Sequence, residues 1–283
     1  MDIKKNLHER AALVEDALLS YYKKKDSDID EVIEAQIYAL MSGGKRVRPY
    51  LTLEFCKLFG EDEKKALPYA CAIEMIHTYS LIHDDLPCMD NDLIRRGKPS
   101  CHAKFGETVA LLAGDALLTE AFFAVAANAS LSPEQNVRAA AILSRAAGTY
   151  GMVGGQMMDL DDREKTGFER LLKLHGMKTG EMIRAAVLLG CIAAGIDESD
   201  ERFADAEAYA KKIGLTFQIV DDILDHREGQ SEEDKETFLT YFDEEKSYEY
   251  AKKLTREAVA AIEKYEGSEE LVAFAQFLLD RQI

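Results

Sequence analysis

Two acidic stretches set into apolar runs carry the strongest chemical signal in this chain. Asp84-Asp85-Leu86-Pro87-Cys88-Met89-Asp90 follows Ile82-His83, and Asp221-Asp222-Ile223-Leu224-Asp225 follows Phe217-Gln218-Ile219-Val220. A buried anion without a partner costs several kcal/mol. On a helix, Asp221 and Asp225 also stand at the i,i+4 spacing at which like charges repel. A cation between the two clusters would relieve both penalties. Carboxylate oxygens suit a hard cation, and Mg2+ is the natural candidate. Mg2+ held by one or two carboxylates is usually completed by substrate phosphates.

Basic residues that could meet such phosphates occur in two loops and one helix. Gly43-Gly44-Lys45-Arg46-Val47-Arg48-Pro49 is a basic turn with two glycines at a helix end, and Arg95-Arg96-Gly97-Lys98-Pro99 is a second basic turn. Lys178 sits in a stripe of Leu171, Leu174, Met182, Ala185 and Leu189, which makes it a cation aimed inward. Helical spacing puts Ile73, His77, Ser80 and Asp84 on one face. The same spacing gathers Gly214, Gln218, Asp221, Asp222 and Asp225 on another. Together these describe a receptor for polyphosphate and Mg2+ above an apolar interior. Each part alone has a plainer reading. An Asp-Asp pair is usually solvated surface, Lys45 to Arg48 could be a solvated turn, and His77 could be a satisfied core histidine. Lys178 could snorkel to solvent, and Met157-Met158 reads as core packing. Glu74-x-x-His77 also fits half of a di-iron bundle motif, but the second copy that such sites need is missing. Two acidic clusters at the ends of apolar helices make a joint accident improbable.

The elements that must position these groups read as helices. Leu7, Ala11, Val14, Leu18 and Tyr21 recur at helical spacing and predict a helix over 6–24. A helix through Ile33 to Leu40 leads into the first basic loop, and Pro49 suits the first turn of the next helix. A long apolar helix is expected over 66–85, followed by a loop over 86–100. Its negative end opposes the helix dipole, a violation expected of a functional site. Further helices are expected over 105–128, 133–147, 168–193, 199–225, 245–265 and 268–281. No sustained period-two run, repeat or linker is visible. The expectation is one all-α domain over 1–283.

Bulk properties narrow the function. The chain has 283 residues, 47% hydrophobic and 31% charged, with a net charge of −17. Nucleic acid is an unsuitable main partner, because a phosphate backbone requires a basic footprint. The five cysteines, Cys56, Cys71, Cys88, Cys101 and Cys191, are scattered and form no C-x-x-C. Neither a disulfide framework nor a zinc site is expected, and a reducing cytoplasm is. The first residues lead into a charged amphipathic stretch rather than a signal peptide. The apolar run Ala185 to Ile196 is too short to span a bilayer, so no membrane span is expected.

At these motifs the chain resembles the short-chain trans-polyprenyl diphosphate synthases, in particular the bacterial farnesyl diphosphate synthases. The matching pieces are GGKRVRPYL at 43–51, EMIHTYSLIHDDLPCMDND at 74–92, RRGKPSCH at 95–102 and KFGETVALLAGDALL at 104–118. They continue with GMVGGQMMDL at 151–160, LHGMKTGEMIRAA at 174–186 and IGLTFQIVDDILD at 213–225. The resemblance implies an isoprenoid-synthase-type helical bundle around a deep cavity, a homodimer, and head-to-tail condensation of isopentenyl diphosphate with an allylic diphosphate. It implies that Asp84, Asp85 and Asp90, with Asp221 and Asp225, hold Mg2+ on the allylic diphosphate. Gly44, Lys45, Arg48, His77 and Arg96 match the isopentenyl diphosphate site. Arg95, Lys178, Thr179 and Gln218 match the allylic site, where Lys178, Thr179 and Gln218 would stabilise the reacting cation. Tyr79 and Ser80, just before the first aspartates, would set chain length.

The chain departs from the family after Asp225. The usual Gly-Lys pair is absent, and Lys235 is the match for the second lysine of that region. Asn91 also replaces a common acidic residue. The leading expectation is farnesyl diphosphate synthesis from dimethylallyl or geranyl diphosphate, with geranylgeranyl diphosphate synthesis as a close alternative. A terpene cyclase is disfavoured by the Asp-Asp-x-x-Asp form of the second cluster. A catalytically silent regulatory subunit is disfavoured because both clusters are intact.

Overall fold

The structure is a computed structural model that describes residues 2–22, 28–160, 167–229 and 236–280. These residues are almost wholly helical, as the periodicity predicts. The first helices, α1 (Ile3–Ser20), α2 (Asp30–Leu40) and α3 (Val47–Leu58), lead to a short 3-10 turn at Glu63–Ala66 and then to α4 (Leu67–Asp84). Proline in its first turn starts α4 without losing a hydrogen bond. Residues from Tyr69 to Met75 are buried all round the helix, so α4 is a central element rather than a surface one. It ends with the Asp85 N–H on the Leu81 carbonyl, which leaves two carboxylates at its C-terminus.

The loop after α4 is more ordered than the sequence suggests. It holds β1 (Ile94–Arg95) and β2 (Lys98–Pro99), antiparallel, with Arg95 opposite Lys98. Strands of two residues are too short to leave a period-two signal. The short α5 (Cys101–Phe105) follows, and Gly106 at φ +84° turns the chain into α6 (Glu107–Ala126). Helix α6 lies against α4 along Ala110, Ala113, Gly114 and Ala121. Gly114 is required there, because a Cβ would stand 2.1 Å from His83 Nε2. That imidazole donates to the Leu111 carbonyl at 3.1 Å.

Helix α7 (Pro133–Ala147) is started by a Ser132–Gln135 capping box. After α8 (Met152–Asp159) comes α9 (Phe168–His175). The single helix expected over 168–193 is interrupted at Gly176–Gly180 by a π-type turn before α10 (Glu181–Ala193). Such wide turns recur at functional sites, and this one carries Lys178 and Thr179. Helix α11 (Glu201–Arg227) packs on α10 and on α13 (Glu244–Ile262), with α12 (Phe238–Tyr241) between and α14 (Glu269–Leu279) last. One apolar cluster runs from Leu7 to Leu278, and a smaller one gathers Leu171, Ile219, Ile223 and Phe238 beneath the end of α11.

Helices α3 and α10 approach closely because Gly190 has no side chain. A Cβ there would lie 2.4 Å from the Thr52 carbonyl oxygen and 2.9 Å from Phe55 Cβ. The same contact carries a hydrogen bond from Thr52 Oγ1 to the Ala186 carbonyl at 2.9 Å. Replacing Gly190 with Ala is expected to lower stability by about 1–3 kcal/mol through overpacking, despite the better helix propensity of alanine. Urea unfolding of G190A measures this, and a gain in stability would contradict the close packing.

Candidate active site

Two adjoining chambers hold most of the residues that the sequence singled out. The first is polar, about 650 Å³, and is lined by Gly44, Lys45, Arg48, His77, Arg96, Asp221 and Asp225, with Glu74 and Phe217. The second, about 570 Å³, is walled by apolar side chains, among them Tyr79, Leu86, Leu111, Met152 and Leu160. Its polar members include Ser80, Asp84, Lys178 and Thr179. Arg48 and His77 line both chambers. The cavity is therefore a charged compartment that opens, at one arginine and one histidine, onto an apolar one.

The polar chamber depends on an unusual loop. Gly43 and Gly44 have φ of +95° and +122°, where only glycine is at ease. The Arg96 guanidinium lies so close to Gly44 that a Cβ there would meet it at 2.8 Å, and Arg96 also donates to the Gly43 carbonyl. Arg96 itself takes φ +53° and Arg46 takes φ +48°, both rare for side-chain-bearing residues. Arg46, far from being a solvated turn residue, is 3% exposed. It donates to Glu74 at 2.6 Å, to Glu15 at 2.9 Å and to the Leu40 carbonyl. Burial lowers the affinity of Arg48 for its proton, a pull opposed by Glu74 and Asp221. Burial, reinforced by Arg48 and Arg96, holds His77 well below the usual imidazole range, so it is neutral at pH 7.

The acidic groups are crowded. Burial pushes the Asp84 carboxyl up to about 6, with Lys178 pulling it back and Asp90 adding repulsion. Asp85 is 2% exposed and accepts from Arg95 Nε at 2.9 Å, while Arg95 also reaches Asp92 at 3.2 Å. Asp90 is exposed, and its backbone N–H donates to the Asp84 carbonyl at 2.9 Å. Lys178 Nζ pairs with Asp159 Oδ2 at 2.6 Å. Glycine again allows the approach, since a Cβ on Gly155 would lie 2.3 Å from the Lys178 backbone nitrogen.

The expected residues divide as follows. Gly44, Lys45, Arg48, His77, Arg96, Asp221 and Asp225 meet in the polar chamber, and Tyr79, Ser80, Asp84, Lys178 and Thr179 meet in the apolar one. Asp85 and Arg95 engage each other and line a small cleft beside these chambers. Asp222 leaves the face that periodicity gave it. It accepts from the Phe238 N–H at 2.8 Å and lies 4.0 Å from His175, anchoring α12 instead of facing the chamber. Burial pushes its carboxyl up to about 7. Gln218 is half-buried on α11 and lines neither chamber. Lys235 lies outside the described residues. Sequence reasoning missed Asp159, Glu15 and the structural role of Glu74 with Arg46. Only Glu74 left a trace, as the residue one turn before His77 on a buried helix.

Among the described residues, no three His, Cys, Asp or Glu side chains assemble into a ready metal cage. The donors nevertheless fit a hard cation. Asp84 is held up by burial and by the neighbouring carboxylates of Asp90 and Asp85, which is surplus negative charge that a cation would neutralise. Fold and site thus define an all-α protein with a charged chamber opening beside an apolar one.

Known proteins share this design. Residues 30–266 match the polyprenyl synthetase family model. Geranylgeranyl pyrophosphate synthase 7, chloroplastic, of Arabidopsis thaliana is 44% identical over 268 residues, covering 89% of this chain and 77% of the relative. The Catharanthus roseus chloroplastic geranylgeranyl pyrophosphate synthase is 43% identical over 266 residues, covering 89% of this chain and 74% of the relative. Among solved structures, an FPP/GFPP synthase from Zymomonas mobilis superposes with a TM-score of 0.91 at 33% identity, covering 98% of each chain. A geranyltransferase from Legionella pneumophila gives 0.90 at 33%, covering 99% of this chain and 98% of the other. The chain belongs to the polyprenyl synthetase family and is a trans-prenyltransferase of isoprenoid biosynthesis.

Because the folded state raises the Asp84 carboxyl above its ordinary value, its ionisation opposes folding. The associated stability is present below the unfolded value and is lost as pH rises through about 6. Asp84→Asn is expected to raise the melting temperature above the parent at pH 8 in metal-free buffer. That advantage should shrink to nothing towards pH 4. Thermal unfolding across this range checks it, and a pH-independent difference would contradict the assignment.

Proposed function

We propose that this prenyltransferase condenses isopentenyl diphosphate with dimethylallyl or geranyl diphosphate to give farnesyl diphosphate. The observation that carries the proposal is the junction at Arg48 and His77 between a cationic chamber and an apolar one. Lys45, Arg48, Arg96 and the neutral His77 suit the head of isopentenyl diphosphate, and the apolar chamber suits the prenyl chain. Asp84, Asp85, Asp90, Asp221 and Asp225 would hold Mg2+, which when bound neutralises diphosphate oxygens and makes diphosphate a better leaving group. Lys178, steadied by Asp159, places a further positive charge beside Asp84.

In the reaction, the allylic carbon–oxygen bond breaks and the electron pair leaves with diphosphate. The double bond of isopentenyl diphosphate attacks the allylic carbon, and the adduct loses a proton to the released diphosphate. Thr179 in the π-type turn lines this chamber, and its hydroxyl dipole can face developing positive charge without reorganising. Gln218, expected to share that role, lies on α11 and lines neither chamber. The apolar walls keep water from the cation.

The length of the product follows from the apolar chamber. Tyr79 is 6% exposed, stands edge-on to His83 with ring centroids 5.6 Å apart, and forms part of the wall beside Ser80. A bulky ring there favours a farnesyl stop. The plant relatives, named as geranylgeranyl pyrophosphate synthases, favour the second reading, geranylgeranyl diphosphate, by the same chemistry with one more addition.

We propose in addition a homodimer formed through α6. Among the described residues this helix alone is long and apolar enough to cross a membrane by length and composition. Its inner face is taken by α4, whereas Leu112 and Phe123, which helical spacing puts on one side, are 48% and 63% exposed. A second copy of the chain is the occupant that a polar, strongly acidic protein offers such a stripe. The unpaired cysteines support a cytoplasmic setting, and the apolar cluster from Leu7 to Leu278 supports one domain over 1–283.

Incubation with isopentenyl and geranyl diphosphates, with and without Mg2+, tests the function. A Mg2+-dependent farnesyl product is expected by mass spectrometry. Geranylgeranyl product would keep the chemistry and move the stop away from Tyr79, and no product would favour a silent subunit. Tyr79→Ala is expected to shift products to longer chains. For the dimer, Phe123→Glu should halve the mass seen in sedimentation, and an unchanged mass would remove α6 from the interface.

A further inference from the structure

The buried ion pair between Arg46 and Glu74 forms part of the wall of the polar chamber, and none of the roles assigned so far uses it. Both side chains are almost inaccessible, at 1% and 3% exposed, and they meet at 2.6 Å. Arg46 is the residue just before α3, in a left-handed conformation. Its guanidinium joins three separate helices: Glu15 on α1, the carbonyl of Leu40 at the end of α2, and Glu74 on α4. Its immediate neighbour is Lys45, and Arg48 is two residues on, so both chamber cations hang from the backbone that Arg46 fixes. Glu74 stands one helical turn before His77 and itself lines the chamber.

We propose that Arg46 and Glu74 are a positioning pair that sets the Gly43–Arg48 loop so that Lys45 and Arg48 can bind a diphosphate group. Neither residue needs to touch the ligand. The physical reason is repulsion. Arg48 feels the charge of Arg96, and Arg96 that of Arg46 and Arg95, with Glu74 opposing both, and a loop rich in glycine and in left-handed residues would not hold this arrangement unaided. The inward anchor at Arg46 supplies the restraint, with Glu15 as a second carboxylate partner. The inference rests on reading the polar chamber as a diphosphate site.

The sign of one measurement separates positioning from simple electrostatics. Glu74 is an anion in the wall of an anion site. If it acted only through its field, removing its charge would tighten diphosphate binding. If it positions the loop, removing its charge weakens binding. The probe is inorganic diphosphate titrated calorimetrically into the full chain without divalent metal, so that the result does not depend on turnover. Glu74→Gln, nearly isosteric and still an acceptor, is expected to weaken diphosphate binding about tenfold, the order seen when supporting residues are lost. Arg46→Met should weaken it at least as much. In steady-state assays the KM for isopentenyl diphosphate should rise while the KM for geranyl diphosphate stays nearly constant. Glu15→Gln, on the half-exposed partner, should show the same pattern more weakly, and it serves where a buried substitution fails to fold. Unchanged or tighter diphosphate binding by Glu74→Gln would overturn the proposal. Equal rises in both KM values would reduce the pair to general stability. A parent protein that binds no diphosphate would instead overturn the reading of the chamber beneath it.

Discussion

Cations can face one another across a cavity only where something restrains their repulsion. In this chain Arg46, Arg48 and Arg96 all line one chamber, but the Arg46 guanidinium is tied to Glu74 and Glu15, an arrangement made by backbone as much as by charge. Left-handed turns at Arg46 and Arg96, together with two glycines at positive φ, shape the loops that carry these basic residues. Arg46 goes inward to Glu74 and Glu15, where burial would weaken its hold on a proton but the two carboxylates more than restore it. Such a pair adds little net stability, because desolvating both charges offsets their attraction. What it supplies is a fixed geometry, which a surface ion pair in high dielectric could not enforce.

The acidic half of the site follows the opposite rule. There Asp84 is crowded by Asp90 and Asp85 and drawn back chiefly by Lys178. Lys178 in turn leans on Asp159, so its charge is shared. A site finished in this way would be more stable with fewer carboxylates, a surplus of the kind that function rather than stability retains. Asp85 escapes the crowding by pairing with Arg95, which ties the end of α4 to the small β1–β2 hairpin. The hairpin also carries Arg96 at its turn, so one two-residue ladder sets a partner for the first acidic cluster and a cation for the polar chamber.

Much of this was legible in the sequence because helices project their faces at fixed spacing. Asp84, Ser80 and His77 fall where the periodicity of α4 puts them, and the expected helices over 66–85 and 133–147 match α4 and α7 closely. What spacing could not give were contacts between distant residues. Arg46 is 28 positions from Glu74, and Lys178 is 19 from Asp159. Both pairs also depend on backbone features with no periodic trace, a left-handed residue in one case and a π-type turn in the other. Asp222 shows the limit from the other side. Its spacing puts it with Asp221 and Asp225, yet the N–H of Phe238 offers a closer bond, and the end of α11 uses that carboxylate to seat α12.

The same packing logic governs the apolar chamber. Tyr79 cannot be considered apart from α6, because its ring leans edge-on against His83. His83 is held in turn by the Leu111 carbonyl and by the notch that Gly114 leaves. A side chain at Gly114 would have to displace the imidazole, and with it the support behind Tyr79. Leu111 belongs both to this bracket and to the chamber wall, half-exposed on a helix whose outer stripe is apolar. The depth of the apolar chamber is therefore a property of how α4 and α6 approach each other, and Tyr79 is the part of that contact which lines the chamber.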